Sequence, residues 1–229
     1  GAGIMASNGI SHLVVDSDEK AANEIIKWLR YLYQDKVQFH PPSEKWRNFI
    51  PPENESYDMR HLIYRISDDA SWTETMCEWA KSVVCGRTTI GGYSAAVLGT
   101  QCHATDIVRP ADPGDPKSTK SHHTRPGCVW FPESSSKTAQ ALECFRLEGL
   151  PTVILADWRG FSGGTRDMFD KILEFGSEIV NTLVKPGPPV FIYIPPHAQL
   201  RGGSFVVLSS GINPERIKMC ASPYSKLGI

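Results

Sequence analysis

The sequence predicts an α/β fold. Two short apolar runs, 152–156 and 190–194, read as strands, and the stretch between them repeats apolar residues at helical spacing. A further helical stretch over 137–148 leads into the first of these strands. Strand, helix, strand in this order implies parallel pairing through right-handed crossovers.

Along the chain, Asn8-Gly9 marks a turn and 12–15 reads as a short strand. Ser17 or Asp18 caps a helix over 19–33, with Ile25, Ile26, Leu29 and Tyr33 on one face. Residues 36–70 are rich in Pro, Ser, Asn and charge, show no clean period, and read as a long surface connector. Trp72, Met76, Trp79, Ala80 and Val83 return to helical spacing. Strands at 83–85 and 93–100 flank Gly91-Gly92, a hairpin signal. Residues 109–127 read as a polar loop.

Ser134-Ser135-Ser136 precede the 137–148 helix. The helix over 165–184 carries Met168, Ile172, Phe175, Ile179 and Leu183 on one row and Phe169, Leu173 and Val180 on a second. Pro195-Pro196 stops the strand before it. Residues 204–208 and 217–220 read as two more strands.

The chain has 229 residues, 41% of them hydrophobic, enough for a core without a disulfide scaffold. A net charge of −1 points to neither nucleic acid nor an anionic membrane as partner. No apolar run approaches the roughly 20 residues needed to span a bilayer. Six scattered cysteines form no C-x-x-C pair, so reduced thiols, an intracellular reducing compartment and no metal site are expected.

The sharpest local feature is the strand–turn–helix around Gly160, Gly163 and Gly164. Glycines let a ligand approach the amides closely. The following helix start has free N–H groups and roughly half a positive charge, which suits anionic oxygen. A glycine-rich corner without a ligand is the alternative, because short glycine motifs recur by chance. Arg159 adds a cation suited either to a carboxylate or to a surface salt bridge. Gly202-Gly203 is either a second close-approach site or a tight connection between strands. Asp167 lies in the first helical turn, where a structural role comes before a catalytic one. The seven histidines have no metal-type spacing, and no nucleophile–base arrangement can be assigned.

At this point a family resemblance becomes visible. Val129-Trp130-Phe131-Pro132-Glu133-Ser134 with Lys137-Thr138-Ala139-Gln140-Ala141, and Ala156-Asp157-Trp158-Arg159-Gly160-Phe161-Ser162-Gly163-Gly164 with Arg166-Asp167-Met168-Phe169, resemble the carboxyltransferase region of eukaryotic multidomain acetyl-CoA carboxylase. Phe191-Ile192-Tyr193-Ile194-Pro195-Pro196 and Leu200-Arg201-Gly202-Gly203-Ser204 continue the match. Ile4-Met5, Asn8-Gly9, Ser11-His12 and Pro110-Ala111-Asp112-Pro113 extend it toward the start.

The resemblance implies a crotonase-like ββα superhelix: the end of a first subdomain and a connector over 1–70, then the core of the second carboxyltransferase subdomain over 71–229, truncated at both ends. It implies transfer of CO2 from carboxybiotin to acetyl-CoA or a related acyl-CoA thioester, giving malonyl-CoA for fatty acid synthesis. Arg159 would recognise the carboxylate, and the Gly163 and Gly164 amides would hold the biotin ureido oxygen. Trp130, Trp158, Phe161, Gly202 and Gly203 would belong to the biotin side. Such chemistry needs oxyanion sites and positioning, not a His or Asp base.

Implied partners are a biotin carrier domain and a carboxyltransferase-like chain, in a homo- or hetero-oligomer, that supplies the missing subdomain. The isolated chain is accordingly expected to be inactive. This sequence departs from the family at Thr89, where an arginine is usual, and at Gln199, where a glutamate is usual. Those departures, with the start at Gly1 and the end at Ile229, leave a catalytically degenerate subunit in a larger assembly as the alternative.

Overall fold

The computed structural model describes residues 1–33, 37–41, 45, 50–53 and 55–228. The elements in chain order are α1 (Ala2–Ser7), α2 (Asp18–Leu32), α3 (Arg60–Ile66), β1 (Thr73–Thr75), β2 (Val83–Ile90), β3 (Tyr93–Thr100), β4 (Thr105–Arg109) and β5 (Ser121–Arg125). Then come α4 (Pro132–Leu147), β6 (Thr152–Leu155), α5 (Thr165–Phe169), α6 (Ile172–Val184), β7 (Val190–Ile194), β8 (Gln199–Arg201), α7 (Gly203–Val207), β9 (Ile217–Ala221) and β10 (Lys226–Gly228).

Six strands form the main sheet in the order β1-β2-β3-β6-β7-β9. The first three are antiparallel and the last four pair in parallel. The α/β class and the parallel pairing expected of 152–156 and 190–194 are both present. The β2–β3 hairpin turns on Gly91 and Gly92, both at positive φ, which suits a two-residue loop. The Asp68 carboxylate accepts both of their amides, at 3.0 and 2.9 Å.

One apolar cluster joins the sheet to α4 and α6 through Leu98, Ile154 and Ile192, with Leu142, Phe145, Ile179 and Leu183. A second gathers Met59, Leu62, Ile63 and Ile66 of α3 and its approach with Val84, Val97 and Leu155 of the sheet. The stretch expected to be connector therefore contributes a packed helix as well; residues 34–36, 42–44, 46–49 and 54 of it lie outside the described residues.

Other expectations are corrected. Residues 12–15 form no strand; the His12 carbonyl accepts the Met76 amide instead, at 2.7 Å. Helix α2 starts at its Ser17 cap as expected, but Tyr31 is its buried residue, while Ile25, Ile26 and Leu29 are exposed. Residues 109–127 hold part of a hairpin, β4 with β5. Helix α4 starts at Pro132, because Ser134 Oγ reaches back to accept the Phe131 amide at 2.9 Å. The helix over 165–184 is two: Lys171 sits at φ +66 and separates α5 from α6. Residues 203–207 are helix, not strand.

The segment from Trp72 to Val83 makes β1 and then turns, with Met76 and Ala80 at positive φ. Its helical spacing of apolar residues is overridden by one cation. Lys137 is fully buried in α4, and its ammonium donates to the carbonyls of Met76 (2.8 Å), Trp79 (2.8 Å), Ala80 (3.5 Å) and Val83 (2.6 Å). Burial pushes the Lys137 pKa below its usual value, and the carbonyls compensate the buried charge. Lys137→Met keeps the volume but strips these carbonyls of their shared cation, leaving the Met76 and Ala80 carbonyls only the Trp79 and Val83 amides among the described residues. Urea unfolding of this variant is expected to show a loss of about 3–5 kcal/mol; a loss below about 1 kcal/mol would mean that the turns hold without it.

Candidate functional site

Strand β6 delivers the chain to Asp157 and Trp158, and the backbone is then laced into place from two sides. On one side, the Arg159 amide donates to the Cys128 carbonyl (2.8 Å), the Trp130 amide to the Gly160 carbonyl (3.0 Å) and the Ser162 amide to the Trp130 carbonyl (2.8 Å). On the other, the Arg201 amide and the Ser204 hydroxyl both donate to the Trp158 carbonyl, at 3.2 and 3.0 Å. Gly160 sits at φ +130, a conformation that L side chains rarely adopt, so glycine is required at this bend.

Beneath the loop, Trp130 stacks on Trp158 with ring centroids 4.3 Å apart and on Phe161 at 4.9 Å. Both indoles are 0% exposed. Trp130 and Trp158, expected on the biotin side, form the floor under the loop. Phe161 is half-buried, and a Cβ at Gly176 or Gly203 would come within 3.0 or 3.2 Å of its ring. Gly203 thus makes room for the floor.

Above it, Gly163 and Gly164 are exposed just ahead of α5. The Gly163 amide has no hydrogen-bond partner among the described residues, and a Cβ there would meet nothing within 4 Å. The Gly164 amide has only a long bond to Ser162 Oγ, 3.5 Å. Arg159 is exposed and makes no ion pair among the described residues. Asp167 plays the structural part: buried, it accepts the Ser162 hydroxyl and pairs with Arg125 at 3.1 Å. Arg125 also pairs with Glu133 at 2.9 Å, which ties the starts of α4 and α5 together.

The second glycine loop lies beside the first, through a Trp158–Leu200 bridge. It is a strand-to-helix junction rather than a link between strands. Gly202 stands at φ +59 with its amide bonded to the Gly228 carbonyl at 3.0 Å, and Gly203 opens α7. Both glycine turns therefore end on helix starts.

A cavity of about 300 Å3 at the base of the loop is lined by Arg159, Asp157, Cys102, Cys128, His197 and Tyr57, among others. Sequence reasoning missed Cys102, Cys128 and His197 as neighbours of Arg159, because nothing in their spacing announces it. The hydrogen bond with Cys128 and, after it, burial push the Cys102 thiol far up, and burial raises the Tyr57 phenol. A larger cavity of about 430 Å3, between α2 and β1 with Trp28, Arg87 and Glu148 in its wall, touches neither glycine loop. No helix among the described residues is long and apolar enough to cross a membrane.

Residues 1–229 match the family described as the carboxyl transferase domain. The chain is 41% identical over 246 residues to acetyl-CoA carboxylase of Schizosaccharomyces pombe and 39% identical over 246 residues to that of Saccharomyces cerevisiae. It is also 39% identical over 248 residues to a Saccharomyces cerevisiae protein named as mitochondrial acetyl-CoA carboxylase. Each match covers 100% of this chain and 11% of the relative, so the chain spans about a tenth of the length of these proteins.

Among solved structures, the transcarboxylase 12S multienzyme core superposes with a TM-score of 0.77 at 19% identity, covering 100% of this chain and 43% of that one. A single-chain, multi-domain long-chain acyl-CoA carboxylase gives 0.77 at 16% identity, covering 98% and 20%. The sheet and these likenesses define a crotonase-like α/β fold. The chain belongs to the carboxyl transferase domain family.

The buried carboxylate at the start of α5 makes a direct prediction. Asp167→Ala leaves Arg125 with one carboxylate instead of two and frees the Ser162 hydroxyl. Thermal and urea unfolding should register a loss of about 2–4 kcal/mol, and an unaltered unfolding curve would show that the turn does not depend on this pair.

Proposed function

We propose that this chain forms the carboxybiotin-side half of a biotin-dependent acyl-CoA carboxyltransferase. The observation that carries this reading is the Gly163 corner: an exposed amide in open space, unpartnered among the described residues, on a buried aromatic floor and four residues from an exposed arginine with no ion partner among them. That donor set fits a small ligand with a carbonyl-type oxygen and a carboxylate.

Carboxybiotin on a carrier domain supplies the transferable CO2 unit. The residues of this chain hold and orient it. The Gly163 amide, with Gly164 after displacement of the Ser162 contact, donates to the ureido oxygen. Each such preorganised donor contributes about 3 kcal/mol to stabilising negative charge. The Arg159 guanidinium pairs with the carboxylate in a planar, two-point fit. The stacked floor keeps the amides fixed, so no reorganisation is needed when charge develops. Gly202 and Gly203 flank the same ligand from the second loop.

The acceptor under this reading is an acyl-CoA, acetyl-CoA by family likeness, with malonyl-CoA as product and fatty acid synthesis as its use. Its thioester would be held by a second carboxyltransferase-like subdomain. Met168, Phe169 and Leu173 support such a partner: they stand 50%, 87% and 70% exposed next to the glycine corner, an apolar patch suited to a subunit contact. The six free thiols suit a reducing compartment.

The test is carboxyl transfer, or biotin-stimulated malonyl-CoA decarboxylation, by the complex as isolated. Arg159→Ala is expected to lower the rate by about 10²–10³-fold with an unchanged circular dichroism spectrum. A full rate in Arg159→Ala and in Gly163→Val would refute the assignment.

A further inference from the structure

We propose that Cys102, Cys128 and Asp157 form a binding site for a thiophilic divalent cation, zinc foremost. This inference does not rest on the carboxyltransferase reading. The two sulfurs and an Asp157 carboxylate oxygen all lie within 4.8 Å of one another. Cys102 Sγ donates to Asp157 Oδ2 across 3.4 Å. In tetrahedral zinc, with Zn–S near 2.3 Å and Zn–O near 2.0–2.2 Å, a sulfur and an oxygen ligand stand roughly 3.5 Å apart. The pair already spans one edge of the coordination polyhedron.

The three ligands come from separate parts of the chain, and backbone hydrogen bonds at Cys128 tie those parts together. Cys102 follows β3 directly. Cys128 is fixed at both ends of its peptide unit: its amide donates to the Gln101 carbonyl at 3.0 Å, and its carbonyl accepts the Arg159 amide at 2.8 Å. It is also held at φ +62, an uncommon conformation for a non-glycine residue. Asp157 Oδ1 accepts the Gln199 amide at 2.9 Å, which leaves Oδ2 directed to the sulfurs.

Two sulfurs and one carboxylate select a borderline-soft cation over magnesium or calcium, which take all-oxygen shells. The three residues border the 300 Å3 cavity, from which a water would complete the tetrahedron. On entry of the cation the two thiols release their protons to solvent and the sulfurs bind as thiolates. The cation would pin Asp157 and Cys128, the two residues that flank the start of the Arg159 loop.

The experiment is zinc competition against a chromophoric chelator, on the full chain reduced and freed of metal, with cobalt substitution in parallel. One zinc per chain is expected. Cys102→Ser and Cys128→Ser should each weaken it by more than about 100-fold, beyond what an outer-sphere change costs, while Cys77→Ser and Cys220→Ser leave it unchanged. Cobalt should give tetrahedral absorption with sulfur charge-transfer bands, a readout that stands even if a serine variant fails to fold. Undiminished zinc affinity in the Cys102→Ser, Cys128→Ser double variant, a cobalt spectrum without sulfur bands, or recovery of the two residues as a disulfide in the zinc-exposed chain would overturn the proposal.

Discussion

The stack of Trp130, Trp158 and Phe161 is the constraint on which the rest of the site depends. Three aromatic rings from two chain segments meet face to face inside the core. Such pairs contribute about 0.5–1.5 kcal/mol each beyond the area they bury. Their larger effect is geometric. Because the rings alternate with backbone groups that bond to Cys128 and Trp130 on one side and to Arg201 on the other, the loop has no freedom to slide. The glycines above the stack are thereby left exposed on a loop whose base is anchored at Arg159, Gly160 and Ser162. An exposed amide that is also rigid is what an oxyanion site requires.

The same stack explains the small residues around it. Phe161 occupies space that side chains at Gly176 and Gly203 would fill. Two glycines from two helices are thus committed to accommodating one ring. The second glycine loop contributes to the first by what it lacks.

Much of this was legible in the sequence, and the failures have a common cause. Strands with runs of apolar β-branched residues, such as 190–194, and the glycine turn with its helix were readable because their signals are local. So was the hairpin at Gly91-Gly92. Residues 203–207 misled because Phe205, Val206 and Val207 favour strands, while the outcome is decided by Gly202 at positive φ and by Ser204 bonding to Trp158 and Arg201. Residues 72–83 misled because their turns are organised by Lys137, more than fifty residues away. The tryptophans at 130 and 158 were expected on the biotin side, but residue type does not reveal that they stack beneath the loop. The grouping of Cys102, Cys128 and Asp157 is invisible in spacing because three distant segments create it.

The β4–β5 hairpin acquires a meaning from Arg125 that its polar composition hides. Arg125 is the last residue of β5, and its guanidinium lies 4.2 Å from the Phe131 ring while gripping Glu133 and Asp167. Further out, Arg166 meets His123 at 3.2 Å. The hairpin is therefore bolted to the helix that begins at the glycine corner. Hairpin, α4 and α5 are thus joined by one ion network, Glu133–Arg125–Asp167, so the polar ribbon is part of the frame that holds the corner.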